Sequence, residues 1–172
     1  MKVEPIAGAL GAEIGDVDLS VDLGAAAIAE IRRALLDHLV IFFRGQSLTP
    51  AQLVAFAHRF GTLSRYPFVA GLADHPEIIE VTKRENERVN FGGVWHSDTT
   101  YLEEPPMGSM LLAREVPEAG GDTLFANMYL AYETLSEGMR RLLDRLVAVN
   151  SSAKADVTRT REDSIRTSPS AQ

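Results

Sequence analysis

The sequence contains no cysteine. This absence excludes disulfides, thiolate metal sites and a cysteine nucleophile. Any bound metal ion must therefore be held by histidine, aspartate or glutamate side chains. Histidine is also scarce, since the 172 residues contain four and none follows His96.

A surplus of basic residues and a long apolar run are both missing. The formal net charge is −7, which argues against a general nucleic-acid binder because such proteins need a basic face to neutralise phosphates. Apolar runs such as Leu39–Phe43 are far shorter than the roughly 20 residues of a membrane span. The first 20 residues carry acids and glycines rather than a basic and apolar leader. We therefore expect a cytoplasmic protein without a nucleic-acid or membrane partner.

The composition predicts one globular domain followed by a polar segment. An apolar content of 45% over 172 residues is enough for a single core. Residues 150–172 differ, because their larger aliphatic side chains are limited to Val157 and Ile165. Such a segment buries too little apolar surface to fold alone. We expect residues 1–149 to form the domain and residues 150–172 a mobile tail that begins a loop excursion.

Two helices and a buried strand have clear signals in the first third of the chain. The helix predicted over 25–38 has a buried stripe at Ile28, Ile31, Leu35 and Leu36. The run "LVIFF" (39–43) predicts a buried strand. In "LTPAQLVAFAHRFG" a second helix follows, with Thr49 as its cap, Pro50 at its first position and Gln52 completing a capping box.

The remaining pattern predicts mostly strands. One or two short strands fall between Pro5 and Ser20, and further strands are predicted over 77–82, 94–101, 108–116 and 122–128. A helix is predicted over 129–146. Helices followed mainly by strands indicate an α+β fold built around an antiparallel sheet.

The stretch "VWHSDTTY" (94–101) carries the strongest chemical signal. In a strand, His96 and Asp98 would face the same side, and an imidazole and a carboxylate on one face can share a metal ion. Together they supply two members of a 2-His-1-carboxylate triad, which suits Fe(II). A purely structural alternative stays open: His96 donates a hydrogen bond near a strand end, while Asp98 begins a turn.

Other candidate sites have weaker signals. His38, His58 and His75 have no convincing ligand partner nearby in sequence. In "EAGGDTLFAN" the glycine pair predicts a tight turn before Thr123. No phosphate-binding or dinucleotide-binding glycine motif occurs, and no Gly-x-Ser-x-Gly elbow supports a hydrolase.

Four stretches follow one another along the chain: "LGAEIGDVDLS", "LLDHLVIFFRGQSLTPAQLVAFAHRFGTL", "GGVWHSDTTYLEEPPMGSMLLAREVPEAGGDTLFANMYLAYETLS" and "SSAKADVTRTRED". In this order they resemble the TauD/TfdA-like taurine dioxygenase family. These oxygenases depend on Fe(II) and 2-oxoglutarate and have a double-stranded β-helix, or jelly-roll, core. The resemblance therefore implies the N-terminal part of such a domain, with an incomplete jelly roll and flanking helices.

The resemblance also implies roles for individual residues. His96 and Asp98 correspond to the first two iron ligands in the family's Trp-His-x-Asp pattern, and Thr123 to the threonine that contacts the 2-oxoglutarate carboxylate. Positions bordering the primary-substrate pocket correspond to Thr99, Tyr101, Tyr66, Phe68 and Asn90.

The implied activity is hydroxylation of a small anionic substrate by O₂ with 2-oxoglutarate as co-substrate. Family substrates include sulfonates, alkyl sulfates and aryloxyacetates, and a homo-oligomer is possible. The family's second iron-binding histidine and its 2-oxoglutarate-binding arginine correspond to a segment beyond Gln172, so we expect a chain truncated before both. Three alternatives stay open: a non-catalytic fragment or degenerate relative, a partner chain that supplies the missing ligands, and a cupin-like zinc or manganese enzyme.

Overall fold

The computed structural model describes residues 1–83 and 92–152. Within it the chain divides into two compact units. The first unit comprises Met1–Gly61 and Leu112–Val147, and the second comprises Thr62–Leu111 and the residues from Ala148. No helix among the described residues is long and apolar enough to cross a bilayer.

A small mixed sheet opens the first unit. Strand β1 (Lys2–Pro5) pairs antiparallel with β2 (Ala12–Gly15), with Lys2 opposite Gly15 and Pro5 opposite Ala12. Strand β3 (Ile41–Phe42) pairs parallel with β2 on its other side. A parallel pair needs a crossover, and helix α1 (Ala25–His38) supplies it. Strand β2 confirms the strand predicted between Pro5 and Ser20, whereas β1 precedes that range and shares only Pro5 with it. A strand within 39–43 is also confirmed, although β3 is partly buried instead of fully buried.

Helix α1 has the predicted bounds, with one difference in its buried face. Ile28, Ile31 and Ala34 are buried, whereas Leu36 is 64% exposed. The prediction of Leu36 as a core residue was wrong. At about 100° per residue, a position five residues after Ile31 lies well off its face, whereas Ala34 lies three residues on.

Helix α2 (Pro50–His58) begins at the predicted capping box. The Thr49 hydroxyl accepts from the Gln52 backbone N–H, and the Gln52 side chain accepts from the Thr49 backbone N–H at 2.9 Å. Its Phe56 packs into the core cluster of the first unit. That cluster comprises Leu19, Ile28, Ile31, Leu48 and Phe56.

The segment predicted as one helix over 129–146 forms two shorter helices. Helix α3 (Met128–Glu133) is capped by the Asn127 side chain, and α4 (Glu137–Leu143) is capped by Ser136. A serine side chain that bonds to a backbone N–H three residues on starts a new helix. The chain therefore breaks at Ser136 instead of continuing as one element.

The strands predicted over 77–82, 94–101, 108–116 and 122–128 are wrong, because none forms in the described residues. A strand requires a neighbour that satisfies its backbone N–H and C=O groups, and the described chain gives these segments none. The observed architecture is a three-stranded mixed sheet with helices. The jelly-roll core remains a prediction, as does the 149/150 boundary, since residues 153–172 lie outside the described part.

Replacing Ile31 tests the core of the first unit. Ile31 is fully buried, so Ile31→Ala should lower the free energy of unfolding by about 2–5 kcal/mol through lost burial and the cavity left behind. The matched control is Leu36→Ala on the same helix. This variant should change the free energy of unfolding by less than about 0.5 kcal/mol. Urea denaturation followed by circular dichroism measures both. Equal losses in the two variants would contradict the assigned helix face.

Replacing Thr49 tests the start of α2. Thr49→Ala removes the hydroxyl that accepts from the Gln52 N–H and should cost about 1 kcal/mol of unfolding free energy. Thr49→Ser keeps the acceptor and should remain near the parent value. The same denaturation experiment compares them, and a serine variant as unstable as the alanine variant would argue against the cap.

Candidate metal centre

The candidate site lies in a loop of the second unit, where local hydrogen bonds orient His96. The His96 Nδ1 lies 2.7 Å from the Val94 backbone carbonyl oxygen. Because a carbonyl oxygen can only accept, Nδ1 must carry the hydrogen in this contact. In the neutral ring this leaves the lone pair on Nε2, which is the form of imidazole that binds a metal ion.

Asp98 presents one carboxylate oxygen to that nitrogen. Its Oδ1 lies 3.1 Å from His96 Nε2, with the two side chains 49% and 57% exposed. Its Oδ2 accepts a hydrogen bond of 2.7 Å from the Ser109 hydroxyl. The structure therefore brings His96 and Asp98 together on one side of the loop and leaves both within reach of solvent.

The electrostatics of this pair favour a cation. With Nδ1 protonated, a neutral His96 turns a lone pair toward a carboxylate oxygen at 3.1 Å, which is repulsive unless a proton or a metal ion lies between them. Two ligands at a right angle, each about 2.1 Å from an ion, would stand about 3 Å apart. An imidazole nitrogen and a carboxylate oxygen also suit Fe(II). The donor set therefore fits a divalent metal ion.

The purely structural alternative also finds support in this loop. His96 does donate a hydrogen bond to a nearby carbonyl, and a turn begins at Asp98. Neither feature uses the Nε2 lone pair, so both are compatible with a metal ligand. The described residues contain no group of three or more potential ligands. The ligand assignment of His96 and Asp98 stays a prediction.

Gly92 lies directly against the imidazole ring. A Cβ added to Gly92 would approach His96 Cε1 to 3.1 Å and Nε2 to 3.7 Å. Its φ of +69° also lies in the left-handed region, which disfavours side chains. Glycine here therefore permits both the loop conformation and the position of the ring.

The turn after Asp98 holds two further predicted site residues. Thr99 adopts a φ of +47°, which is uncommon for a β-branched residue, and Leu102 N–H donates to its carbonyl at 3.0 Å. The hydroxyls of Thr99 and Tyr101 are both buried. The Thr99 hydroxyl has no hydrogen-bond partner within the described residues, whereas the Tyr101 hydroxyl interacts with the Tyr66 phenol and contributes to the raised pKa of Tyr66. Buried hydroxyls normally find partners, so the Thr99 hydroxyl is a candidate for contact with a bound ligand.

Three of the predicted substrate residues form one aromatic cluster. The ring centroids of Tyr66 and Phe68 lie 5.8 Å apart, and those of Phe68 and Tyr101 lie 6.0 Å apart. Burial raises the pKa of the Tyr66 and Tyr101 phenols, and the charge of Asp98 adds to both rises. Both phenols therefore stay protonated at neutral pH and can donate hydrogen bonds. The structure brings these residues together, while their contact with substrate stays a prediction.

Thr123 belongs to the first unit, where it is exposed and follows Gly120 and Gly121, whose φ values are +83° and +72°. The positive φ predicted for the glycine pair is therefore confirmed, but the chain bends at 118–119 without a hydrogen-bonded turn at the glycines, and Thr123 does not begin a strand. Asn90 lies outside the described residues.

Sequence reasoning missed Gly92 and Ser109. Gly92 stands in a polar loop with several possible turn residues, so its sequence gives no sign of contact with the imidazole. Ser109 interrupts the apolar stretch "PPMGSMLL", and a hydroxyl within such a stretch needs a polar partner. That signal existed, but spacing alone cannot identify Asp98 as the partner.

Replacing Gly92 tests whether the loop holds His96 in place. Gly92→Ala should displace the imidazole, because the added Cβ would meet it. It should also lower the free energy of unfolding by roughly 1–2 kcal/mol, because alanine is strained in the left-handed conformation. The His96 side-chain NMR signals should shift, and divalent metal affinity should fall by about 10-fold. Gly108→Ala is the matched control, because a Cβ there meets nothing within 4 Å. Unchanged His96 signals in Gly92→Ala would contradict the contact.

Comparison with known proteins identifies relatives over nearly the whole chain. The family described as taurine catabolism dioxygenase TauD, TfdA family matches residues 2–172. An alpha-ketoglutarate-dependent sulfate ester dioxygenase of Pseudomonas putida is 40% identical over 152 residues, which cover 88% of this chain and 50% of that protein. An alpha-ketoglutarate-dependent 2,4-dichlorophenoxyacetate dioxygenase of Cupriavidus pinatubonensis is 35% identical over 161 residues, with 84% and 56% coverage.

A solved structure agrees with these sequence relatives. The crystal structure of a taurine dioxygenase from Burkholderia xenovorans superposes with a TM-score of 0.70 and 39% identity, covering 84% of this chain and 51% of that one. The chain thus spans about half the length of the relatives it matches. With the family match extending over residues 2–172, the chain belongs to the TauD/TfdA family of dioxygenases.

Proposed function

We propose that the protein containing this chain is an Fe(II)- and 2-oxoglutarate-dependent oxygenase that hydroxylates a small anionic substrate. The observation that carries the proposal is the orientation of His96 Nε2 toward Asp98 Oδ1 at 3.1 Å, with Nδ1 engaged by Val94. Relatives named as sulfate ester and 2,4-dichlorophenoxyacetate dioxygenases support a sulfonate, alkyl sulfate or aryloxyacetate as the substrate class. When bound, Fe(II) and 2-oxoglutarate supply the O₂ chemistry that couples decarboxylation to hydroxylation of a C–H bond.

The chain's own residues would hold the metal and enclose the substrate. His96 and Asp98 are the proposed ligands, and the rings of Tyr66, Phe68 and Tyr101 would shield the reacting carbon from water. The buried hydroxyls of Thr99 and Tyr101 would donate to the polar group of the substrate. These donors are neutral, so they orient an anion without repelling it.

The remaining assignments follow the family resemblance. Thr123 is the proposed contact for the 2-oxoglutarate carboxylate, and Asn90 a further substrate contact. The second histidine ligand and the 2-oxoglutarate-binding arginine are proposed to come from residues that this sequence does not contain. A cytoplasmic location and a homo-oligomeric state also remain proposals.

Direct turnover tests this function. The full-length protein that carries this sequence, supplied with Fe(II), 2-oxoglutarate and O₂, should form succinate in the presence of an alkyl sulfate, a sulfonate or an aryloxyacetate. His96→Ala and Asp98→Ala should each reduce succinate formation to the background level, because each removes a proposed metal ligand. His58→Ala, which removes an exposed histidine on α2, is the control and should keep the parent rate.

The same assay distinguishes the non-catalytic alternative. A protein that folds and binds Fe(II) but forms no succinate with any of the three substrate classes would favour a degenerate relative. A ligand variant that keeps the parent rate would instead overturn the assignment of His96 or Asp98.

A further inference from the structure

The second oxygen of Asp98 is held by a residue outside the metal-binding motif. We propose that Ser109 is a positioning residue that fixes Asp98 as a one-oxygen metal ligand. The inference rests on the proposed function, since it assumes that Asp98 binds the metal ion. It extends that function by dividing the carboxylate between two tasks, with Oδ1 facing the His96 nitrogen and Oδ2 facing the Ser109 hydroxyl.

The geometry of the hydrogen bond supports this division. The Ser109 Oγ lies 2.7 Å from Asp98 Oδ2, which is within the short range of a hydroxyl donating to a carboxylate. An ionised carboxylate can only accept, so Ser109 is the donor. The terminal torsion of an aspartate side chain has a broad, roughly two-fold energy profile, and this hydrogen bond restricts it. The Oδ1 oxygen then remains directed at His96 Nε2.

The path of the chain explains how Ser109 reaches the carboxylate. The chain reverses at the turn in which Leu102 N–H donates to the Thr99 carbonyl, and Pro105 and Pro106 then restrict the return segment. Ser109 thereby meets Asp98 from 11 residues further along the sequence. Both side chains belong to the second unit, and both residues are exposed.

The exposure of Ser109 allows its positioning role to be distinguished from a role in the stability of the fold. Ser109 is exposed, so removing its hydroxyl leaves no buried polar group unpaired and should change the unfolding free energy little. A partner that orients a metal ligand acts instead on metal affinity, typically by 10-fold or more. A variant that loses metal affinity at an unchanged unfolding free energy therefore indicates a positioning role for Ser109, and one that loses stability indicates a structural role.

The test is a titration of the full-length protein with Mn(II), followed by electron paramagnetic resonance of the free ion. Ser109→Ala should raise the dissociation constant by about 10-fold, whereas Ser109→Thr keeps the hydroxyl and should restore affinity. Ser97→Ala is the matched control, since Ser97 is exposed in the same loop and forms no hydrogen bond within the described residues. Adding Ser109→Ala to Asp98→Ala should produce no further loss. Thermal unfolding should be equal in the parent and all single serine variants.

The outcomes distinguish failure of the positioning role from failure of the proposed function. Parent-like affinity in Ser109→Ala, or an equal loss in Ser97→Ala, overturns the positioning role and leaves the proposed function intact. A lower thermal midpoint in Ser109→Ala that the threonine variant does not restore also overturns it. A parent protein that binds no Mn(II) removes the metal site, and with it both the proposed function and this inference.

Discussion

The proposed metal centre depends on the close approach of two side-chain atoms, since His96 Nε2 lies 3.1 Å from Asp98 Oδ1. The Val94 carbonyl requires a hydrogen on Nδ1, so in the neutral ring Nε2 is the nitrogen with the free lone pair. A lone pair and a carboxylate oxygen at this distance repel each other unless a proton or a metal ion lies between them. The proposed function places a divalent metal ion there, because an imidazole nitrogen and a carboxylate oxygen are suitable ligands for one.

Local contacts, instead of the hydrogen bonds of a β-sheet, keep His96 and Asp98 next to each other. Gly92 leaves room for the imidazole, the Val94 carbonyl fixes its orientation, and Ser109 holds the outer carboxylate oxygen. Each contact lies within the second unit and uses an exposed part of the loop. The same loop places Tyr101 in the aromatic cluster, so one short segment combines proposed metal ligands with a proposed substrate wall.

The fold could be predicted where the determining interactions are local. Helix α1 follows from its apolar periodicity, and α2 follows from the capping box at Thr49 and Gln52, whose hydrogen bonds span only three residues. The strands predicted over 94–101 and 108–116 depended instead on partners distant in sequence. Alternation and β-propensity indicate that a segment can join a sheet, but they do not supply the neighbour that makes it a strand.

In the candidate site, too, contacts between residues close in sequence could be predicted, whereas contacts between residues far apart in sequence could not be predicted from spacing. The pairing of His96 with Asp98 could be predicted because they lie two positions apart, and a turn as well as a strand can place both on one side. The convergence of Tyr66, Phe68 and Tyr101 was reached through family resemblance, since no periodicity links residue 66 to residue 101. Ser109 escaped prediction because its partnership with Asp98 depends on the path of the intervening turn.

The most direct test of the central claim is a crystal structure of the full-length protein with Mn(II), with anomalous diffraction collected at the manganese absorption edge. The account predicts an anomalous peak about 2.1 Å from both His96 Nε2 and Asp98 Oδ1. A peak bound elsewhere, or a fully occupied ion that contacts neither atom, would contradict it.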